Sequence, residues 1–309
     1  MTEPAVDGRR ATLPRTQSGP NPQHLLLTIL GDYWSGHAEP VPSSGLVALL
    51  AEFDTSEAGA RSALSRLTTR GVLQMTRSGR RTSYRLTPSV DELGAQTAQR
   101  IFAFAKHADV ANWHGQWTVV TFSVPESERH LRSSLGTKLR WHGFAAIQDG
   151  VWVAPRDFTP ELESVLTEAA GINVAAFSGK LEYPTSIATR GLLGGVQLTR
   201  LEERYRAFVE QFAPVLEAAR GGRLDPAEAF VSRSLATDVW RGLYRADPQL
   251  PSQLLGPQWP QPEAGQLFLA LYDLLGPAAE ERCAQILQAS GSGDAVPRHF
   301  TSAGLPGVS

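Results

Sequence analysis

The sequence predicts an α+β chain in three structured units, and three observations predict it. From Ser43 to Leu86, two short amphipathic segments lead into two alternating runs. From Trp113 to Phe177 the runs come in the order strand-helix-strand-strand-helix-strand. From Leu198 to Gln288 apolar residues recur only at steps of three and four, the helical spacing. The expected boundaries are 1–22, an unstructured arm; 23–105; 106–190; 191–289, all helix; and 290–309, an unstructured tail.

The bulk numbers narrow the class. A chain of 309 residues with 42% apolar residues and a mean hydropathy of −0.19 reads as an ordinary soluble protein. No apolar run approaches the roughly 18 residues of a membrane span, and the polar start carries no signal-peptide pattern. The single Cys283 excludes an internal disulfide and suits a reducing cytoplasm. Seven histidines and that cysteine show no zinc spacing, so neither a metal nor a cofactor is expected. Net charge is −2, but unevenly placed. Between Thr55 and Leu86 seven arginines stand against one acid, Glu57, a net +6 that leaves −8 on the other 277 residues. A basic patch on an acidic body suits a protein that turns one face to nucleic acid.

In chain order, Leu25, Leu26, Ile29, Leu30 and Tyr33 mark a first helix that ends by Gly36. Ser43 is the expected cap of a second, buried through Leu46, Val47, Leu49, Leu50 and Phe53. Asp54, with Glu57 three residues on, is the expected capping box of a third. That helix buries Ala60, Ala63, Leu64 and Leu67, leaves Arg61, Ser62, Ser65, Arg66, Thr69 and Arg70 outside, and stops at Gly71. Val72 to Arg77 and Ser83 to Leu86 then alternate as a hairpin around Arg80 and Arg81. Helix, turn, helix and basic hairpin together read as a winged helix-turn-helix. Thr87 and Pro88 open a helix toward Phe104.

The second unit begins with a strand over Trp117–Val124 that stops at Pro125. Ser127 is the expected cap of a helix through Trp141, and Asp149-Gly150 turns a hairpin between Phe144–Gln148 and Val151–Ala154. A helix from Thr159 and a strand over Ile172–Phe177 complete a split β-α-β, ferredoxin-like order. In the third unit a helix runs through Leu198 and Val215. Asp225, Pro226 and Glu228 supply cap, first-turn proline and capping box for the next, which reaches Tyr244. Pro248 and Pro251 break the chain, Leu267 to Leu275 mark another helix, and Pro277 is expected to begin the last.

Several of these stretches resemble the phenylacetic-acid-degradation repressors, the PaaX type. They are Gly31-Asp32-Tyr33-Trp34; Ser56-Glu57 with Arg61 to Leu67 and Gly71; Gly79-Arg80-Arg81 with Tyr84 to Thr87; and Trp113 to Trp117 with Arg129 to Arg132. Leu139 to Phe144, Gly150 to Pro155, and Asp247-Pro248 through Trp259-Pro260 continue the likeness, which covers roughly residues 24–288. It implies a cytoplasmic, homodimeric repressor of aromatic-acid catabolism, bound to double-stranded operator DNA and released by an aryl-CoA such as phenylacetyl-CoA. Gly59-Ala60 is a lighter pair than the resemblance leads one to expect. A glycine there softens the third helix by about 1 kcal/mol.

Arg61, Ser62, Ser65, Arg66, Thr69 and Arg70 are the groups able to enter a major groove, since arginine pairs bidentately with guanine. Arg77, Arg80 and Arg81 are the expected backbone contacts, whereas Arg85 has the alternative of supporting the hairpin. The plain alternative for the helix is a solvated charged face. Arg129, Arg132, Lys138 and Arg140, with His130 and His142, crowd one helix. They are candidates for the phosphates of a CoA effector, with Trp117, Trp141 and Trp152 lining an acyl pocket. Core tryptophans with solvated or paired cations, or a surface against a partner subunit, are the other readings.

A competing class is an enzyme, because the second unit also resembles the small ferredoxin-like nuclease associated with CRISPR arrays. That nuclease holds metal with an acid at the end of its first strand. Here the strand ends Phe122-Ser123-Val124-Pro125, and Glu126 and Glu128 begin a helix, where carboxylates are expected for dipole reasons. Hydrolysis is therefore disfavoured, with no catalytic residue expected. A DNA-binding scaffold without effector response is the third reading.

Overall fold

A computed structural model describes residues 21–37, 39–106, 113–155, 157, 160–167, 172–180 and 195–305. The expected arm over 1–22 lies almost wholly outside these residues, as does Thr159. The fold is mixed α and β, with two antiparallel sheets and a helical C-terminal region. Its residues group into two compact units rather than three. One takes residues 1–102, 211–240 and 267–309; the other takes 103–210 and 241–266. The helical region expected over 191–289 is thus shared between them. The reason is burial: Phe230, Ala279, Cys283, Ile286 and Leu287 join Leu25, Leu46, Leu64 and their neighbours in one core.

In the first unit, α1 (Pro22–Trp34) starts where the Asn21 side chain accepts the Gln23 N–H at 2.9 Å. A short β1 (Val41–Pro42) leads directly into α2 (Ser43–Ala51). Ser43 is the first helical residue there rather than a cap, and the residue in the cap position, Pro42, offers no side-chain bond. The cap of α3 (Glu57–Thr69) is likewise Ser56, whose Oγ accepts the Gly59 N–H at 3.2 Å. Asp54 is unsuited to that role because its backbone is left-handed, at φ 55. Gly59 therefore lies in the first turn, where an interior glycine penalty applies least. At the other end Gly71, at φ 70, reverses the chain and Val72 N–H returns to the Leu67 carbonyl at 2.9 Å.

β2 (Leu73–Ser78) and β3 (Arg81–Leu86) form the hairpin, and β1 pairs with the other edge of β3. The Thr87 hydroxyl donates to the Gly71 carbonyl at 3.0 Å, tying the end of the hairpin to the end of α3 before α4 (Pro88–Ala105) begins.

In the second unit, β4 (Gln116–Ser123), α5 (Arg129–Trp141), β5 (Ala145–Gln148), β6 (Val151–Ala154), α6 (Pro160–Thr167) and β7 (Asn173–Lys180) follow in order. The sheet runs β5-β6-β4-β7, all antiparallel. Ser127 sits inside a 3-10 turn over Glu126–Glu128, so α5 begins without a side-chain cap. Gly150, at φ 75, brings the turn so close to β4 that an added Cβ would lie 2.4 Å from the Phe122 carbonyl oxygen.

Among the described residues four helices follow: α7 (Gly195–Arg220), α8 (Pro226–Ala246), α9 (Ser252–Leu255) and α10 (Gln261–Ala289). The Asp225–Glu228 capping box closes as expected, at 2.8 and 3.0 Å. Pro277 does not begin a helix but lies within α10. An interior proline costs about 3 kcal/mol. One unbroken buried stripe, Phe268, Leu271, Leu275, Ala279, Cys283 and Leu287, outweighs it. No helix among the described residues is long and apolar enough to cross a membrane.

The tail is also a correction. Residues 290–305 pack on the first unit, because Gly291 (φ 66) turns the chain back and Ala295 enters the core. Arg298 N–H then bonds the Tyr33 carbonyl at 3.1 Å, and the Ser302 N–H and hydroxyl bond Asp273, each at 2.6 Å.

Candidate nucleic-acid interface

Helix α3 divides cleanly. Ala60, Ala63, Leu64 and Leu67 are at most 2% exposed and anchor it in the core. Arg61, Ser65, Arg66 and Thr69 are exposed, and Ser62 is half-buried. Their chemistry differs. Arg61 is held by Glu57 one turn back, Nη2 to Oε1 at 2.7 Å. The Thr69 hydroxyl donates to the Ser65 carbonyl at 3.0 Å. Arg70 turns away, Nη1 donating to Gln23 of α1 at 3.0 Å, and so braces the helix pair. The Arg66 side chain has no hydrogen-bond or ion-pair partner among the described residues and is the guanidinium on this face with all its donors available.

On the hairpin, Arg77 stands opposite Thr82 and Arg80 lies in the turn beside Gly79 (φ 59). Both are exposed and without a partner among the described residues. Arg81 is engaged: Nη1 meets Asp294 at 3.0 Å and Nη2 donates to the Gly291 carbonyl. Arg85 lies opposite Gln74 and donates to its Oε1 at 2.9 Å, so it does support the hairpin. Sequence reasoning missed the contact to Asp294, and nothing in the sequence signals it, because the two residues lie 213 positions apart.

The described cations of α5 each have a neighbour of their own. Arg129 faces Glu126 at 3.7 Å, His130 lies 3.9 Å from Glu128, and Arg132 bonds Asp149 at 2.6 Å. Lys138 also has a partner, and Arg140 lies 5.0 Å over the Trp152 ring. Trp152 packs with Val120, Phe122 and Ala154, whereas Trp117 packs with Val153 and Leu250 on the opposite face of the sheet. Side chains alternate across a strand, so these two tryptophans cannot line one pocket. The Trp141 side chain lies outside what the structure describes.

Of that set Arg140 lines a cavity. It measures about 240 Å³ and lies within the second unit. Phe144, Leu198, Leu201 and Pro248 form its apolar wall, and Arg140, Arg245 and Asp247 its polar one. Asp247 is buried, and its carboxylate accepts from the Tyr205 hydroxyl at 2.6 Å and from the Gln249 N–H at 2.5 Å. Burial pushes its carboxyl up to about 6 against the pull of those two donors. No group of three or more His, Cys, Asp or Glu among the described residues could hold a metal ion.

Family models match three successive stretches of the chain. The model of the PaaX-like protein covers residues 21–90, that of the PaaX protein central Cas2-like domain residues 110–189, and that of the PaaX-like protein C-terminal domain residues 196–285. The transcriptional repressor PaaX of Escherichia coli (strain K12) is 28% identical over an alignment of 265 residues that covers 82% of this chain and 80% of that protein. Among solved structures, the uncharacterized protein Rv0674 from Mycobacterium tuberculosis is similar with a TM-score of 0.51 and 25% identity. The likeness covers 86% of this chain and 97% of that one.

Proposed function

Since the chain belongs to the PaaX family, whose three regions it carries in order, we propose that it is a DNA-binding transcriptional repressor of an aromatic-acid catabolic pathway. The observation that carries this reading is the exposed basic set Arg66, Arg77 and Arg80, unpaired among the described residues of a chain whose net charge is −2. Folding gives no reason for such a set, whereas DNA phosphates and base edges do. The first unit is read as a winged helix-turn-helix. Helices α2 and α3, the β2–β3 hairpin and the bracing bond from Arg70 to α1 support it. The four-stranded sheet, with its β5-β6-β4-β7 order, is read as ferredoxin-like.

In this reading α3 enters the major groove, with Arg66 on base edges and Arg61, Ser62, Ser65 and Thr69 around it. Arg77 and Arg80 meet the adjacent backbone. The repressor is a homodimer whose two α3 helices meet half-sites related by two-fold symmetry. An aryl-CoA effector, phenylacetyl-CoA in the first instance, binds the second unit and favours a dimer whose helices no longer match that spacing. The cavity at Arg140 and Arg245 supports that placement, with two guanidiniums beside an apolar wall.

The test is footprinting of the DNA upstream of its own gene. A two-fold symmetric footprint that fades on adding phenylacetyl-CoA is expected. A footprint indifferent to every aryl-CoA makes the protein a scaffold, and no footprint anywhere removes the DNA reading itself.

A further inference from the structure

The segment after α10 reaches the hairpin. It leaves the helix at Gly291, and Ser292 is fully buried with its hydroxyl 2.9 Å from that of Ser44 at the start of α2. Ala295 is anchored in the core three residues later. Between these two fixed points Asp294 stands out, its side chain 89% exposed, and it meets Arg81, itself 44% exposed. The Arg81 guanidinium also donates to the Gly291 carbonyl. The strap therefore presents two acceptors, a carboxylate oxygen and a carbonyl oxygen, to a planar fork that matches the oxygens of a phosphate equally well. The exposed Arg77 and Arg80 make no ion pair among the described residues.

We propose that this contact is autoinhibitory: Asp294 competes with DNA phosphate for Arg81 and limits sequence-independent binding. The inference rests on the DNA-binding reading of the hairpin. An ion pair this exposed is readily exchanged, and the strap's anchors at Ser292 and Ala295 keep the carboxylate nearby once it has been displaced. Asp294 also places one negative charge beside an arginine of the most basic stretch of the chain. The strap thus lowers affinity for random DNA. Phosphate contacts carry no sequence information, so the strap holds down the electrostatic part of binding and leaves base-edge contacts from α3 outside this competition.

The measurement is fluorescence anisotropy of a labelled random-sequence 30-base-pair duplex titrated with the full chain between 50 and 200 mM KCl. Wild type, Asp294→Asn, Arg81→Ala and the double variant are compared. Asp294→Asn is expected to bind about three- to tenfold tighter at 50 mM KCl, with a log–log salt slope steeper by about 0.9, the signature of one added phosphate contact. Both gains are expected to vanish in the double variant. Equal or weaker binding by Asp294→Asn overturns the inference, because it makes the strap a support that positions the hairpin. If wild type does not bind the duplex at any salt concentration, the DNA reading fails and the inference fails with it.

Discussion

Three arginines that look alike in the sequence are separated by their neighbours. Arg66 keeps every donor, Arg81 is shared with the strap, and Arg70 braces α1. Arg66→Ala is expected to relax base preference at one operator position. The cost is about 1–3 kcal/mol of discrimination, measured as the ratio of affinities for operator and point-substituted duplexes. Arg77→Ala with Arg80→Ala should instead weaken binding to all sequences alike and flatten the log–log salt slope by about 1.8, two phosphate contacts. An unchanged slope in that double variant, with operator affinity intact, would remove the hairpin from the interface. The residue types of the candidate site were legible in the sequence, because the helical spacing separates Arg61, Ser65, Arg66 and Thr69 from the buried Ala60, Leu64 and Leu67. Which arginines are available was not, since Arg81 is decided by a residue 213 positions away.

At the scale of elements, the first unit contains a cation that helical spacing alone does not single out. Arg233, on α8, is fully buried. It donates to the Tyr272 carbonyl at 3.0 Å and the Phe300 carbonyl at 2.9 Å, and its guanidinium lies 3.8 Å from the Tyr272 ring centre. Nη1 sits 3.9 Å from an Asp32 oxygen, close enough for charge attraction but too far for a hydrogen bond. One side chain thus joins α1, α8, α10 and the strap. Arg233→Met should cost about 3–5 kcal/mol in urea unfolding, because it leaves Asp32 buried without its counter-charge. Adding Asp32→Asn should recover part of that loss, and strict additivity of the two would mean that the charges do not interact.

The second unit has a counterpart in Asp247, which burial holds protonated up to about 6. Between about pH 4 and 6 the folded chain keeps this proton while the unfolded chain gives it up. Its contribution to stability therefore falls as pH rises through that window, by about 3 kcal/mol in all, and is level above it. Asp247→Asn should abolish that fall. Equal pH slopes for the two proteins over the window would place the proton elsewhere. Tyr205 and Asp247 each lie on a stretch the sequence marks as helix or helix end, but their meeting was not legible, because period reports a face and not its partner.

For the whole molecule, the sequence and the fold agree on element type and disagree on grouping. Among the described residues the long periodic segments formed the elements their periods indicate, and strands β4 to β7 lie where alternation and one Asp-Gly turn place them. The misreadings share one cause. On local composition Pro277 reads as a helix start and the tail as unstructured, and long-range burial overrides it in both cases. The tail makes the point testable. Its polar, glycine-rich start suggests disorder, yet Ser292 and Ala295 are buried, Phe300 accepts from Arg233, and Ser302 fills both oxygens of Asp273. Ending the chain at Ser290 removes these partners together. An unsatisfied buried donor on Arg233 alone costs about 1–3 kcal/mol. The shortened protein should therefore unfold at clearly lower urea concentration than the full chain, with a smaller denaturant slope because less surface is buried in the folded state. Arg233→Met should then cost less in the shortened protein, since the Phe300 contact is already gone. An identical midpoint for the two lengths would mean that the strap rests on the unit without stabilising it.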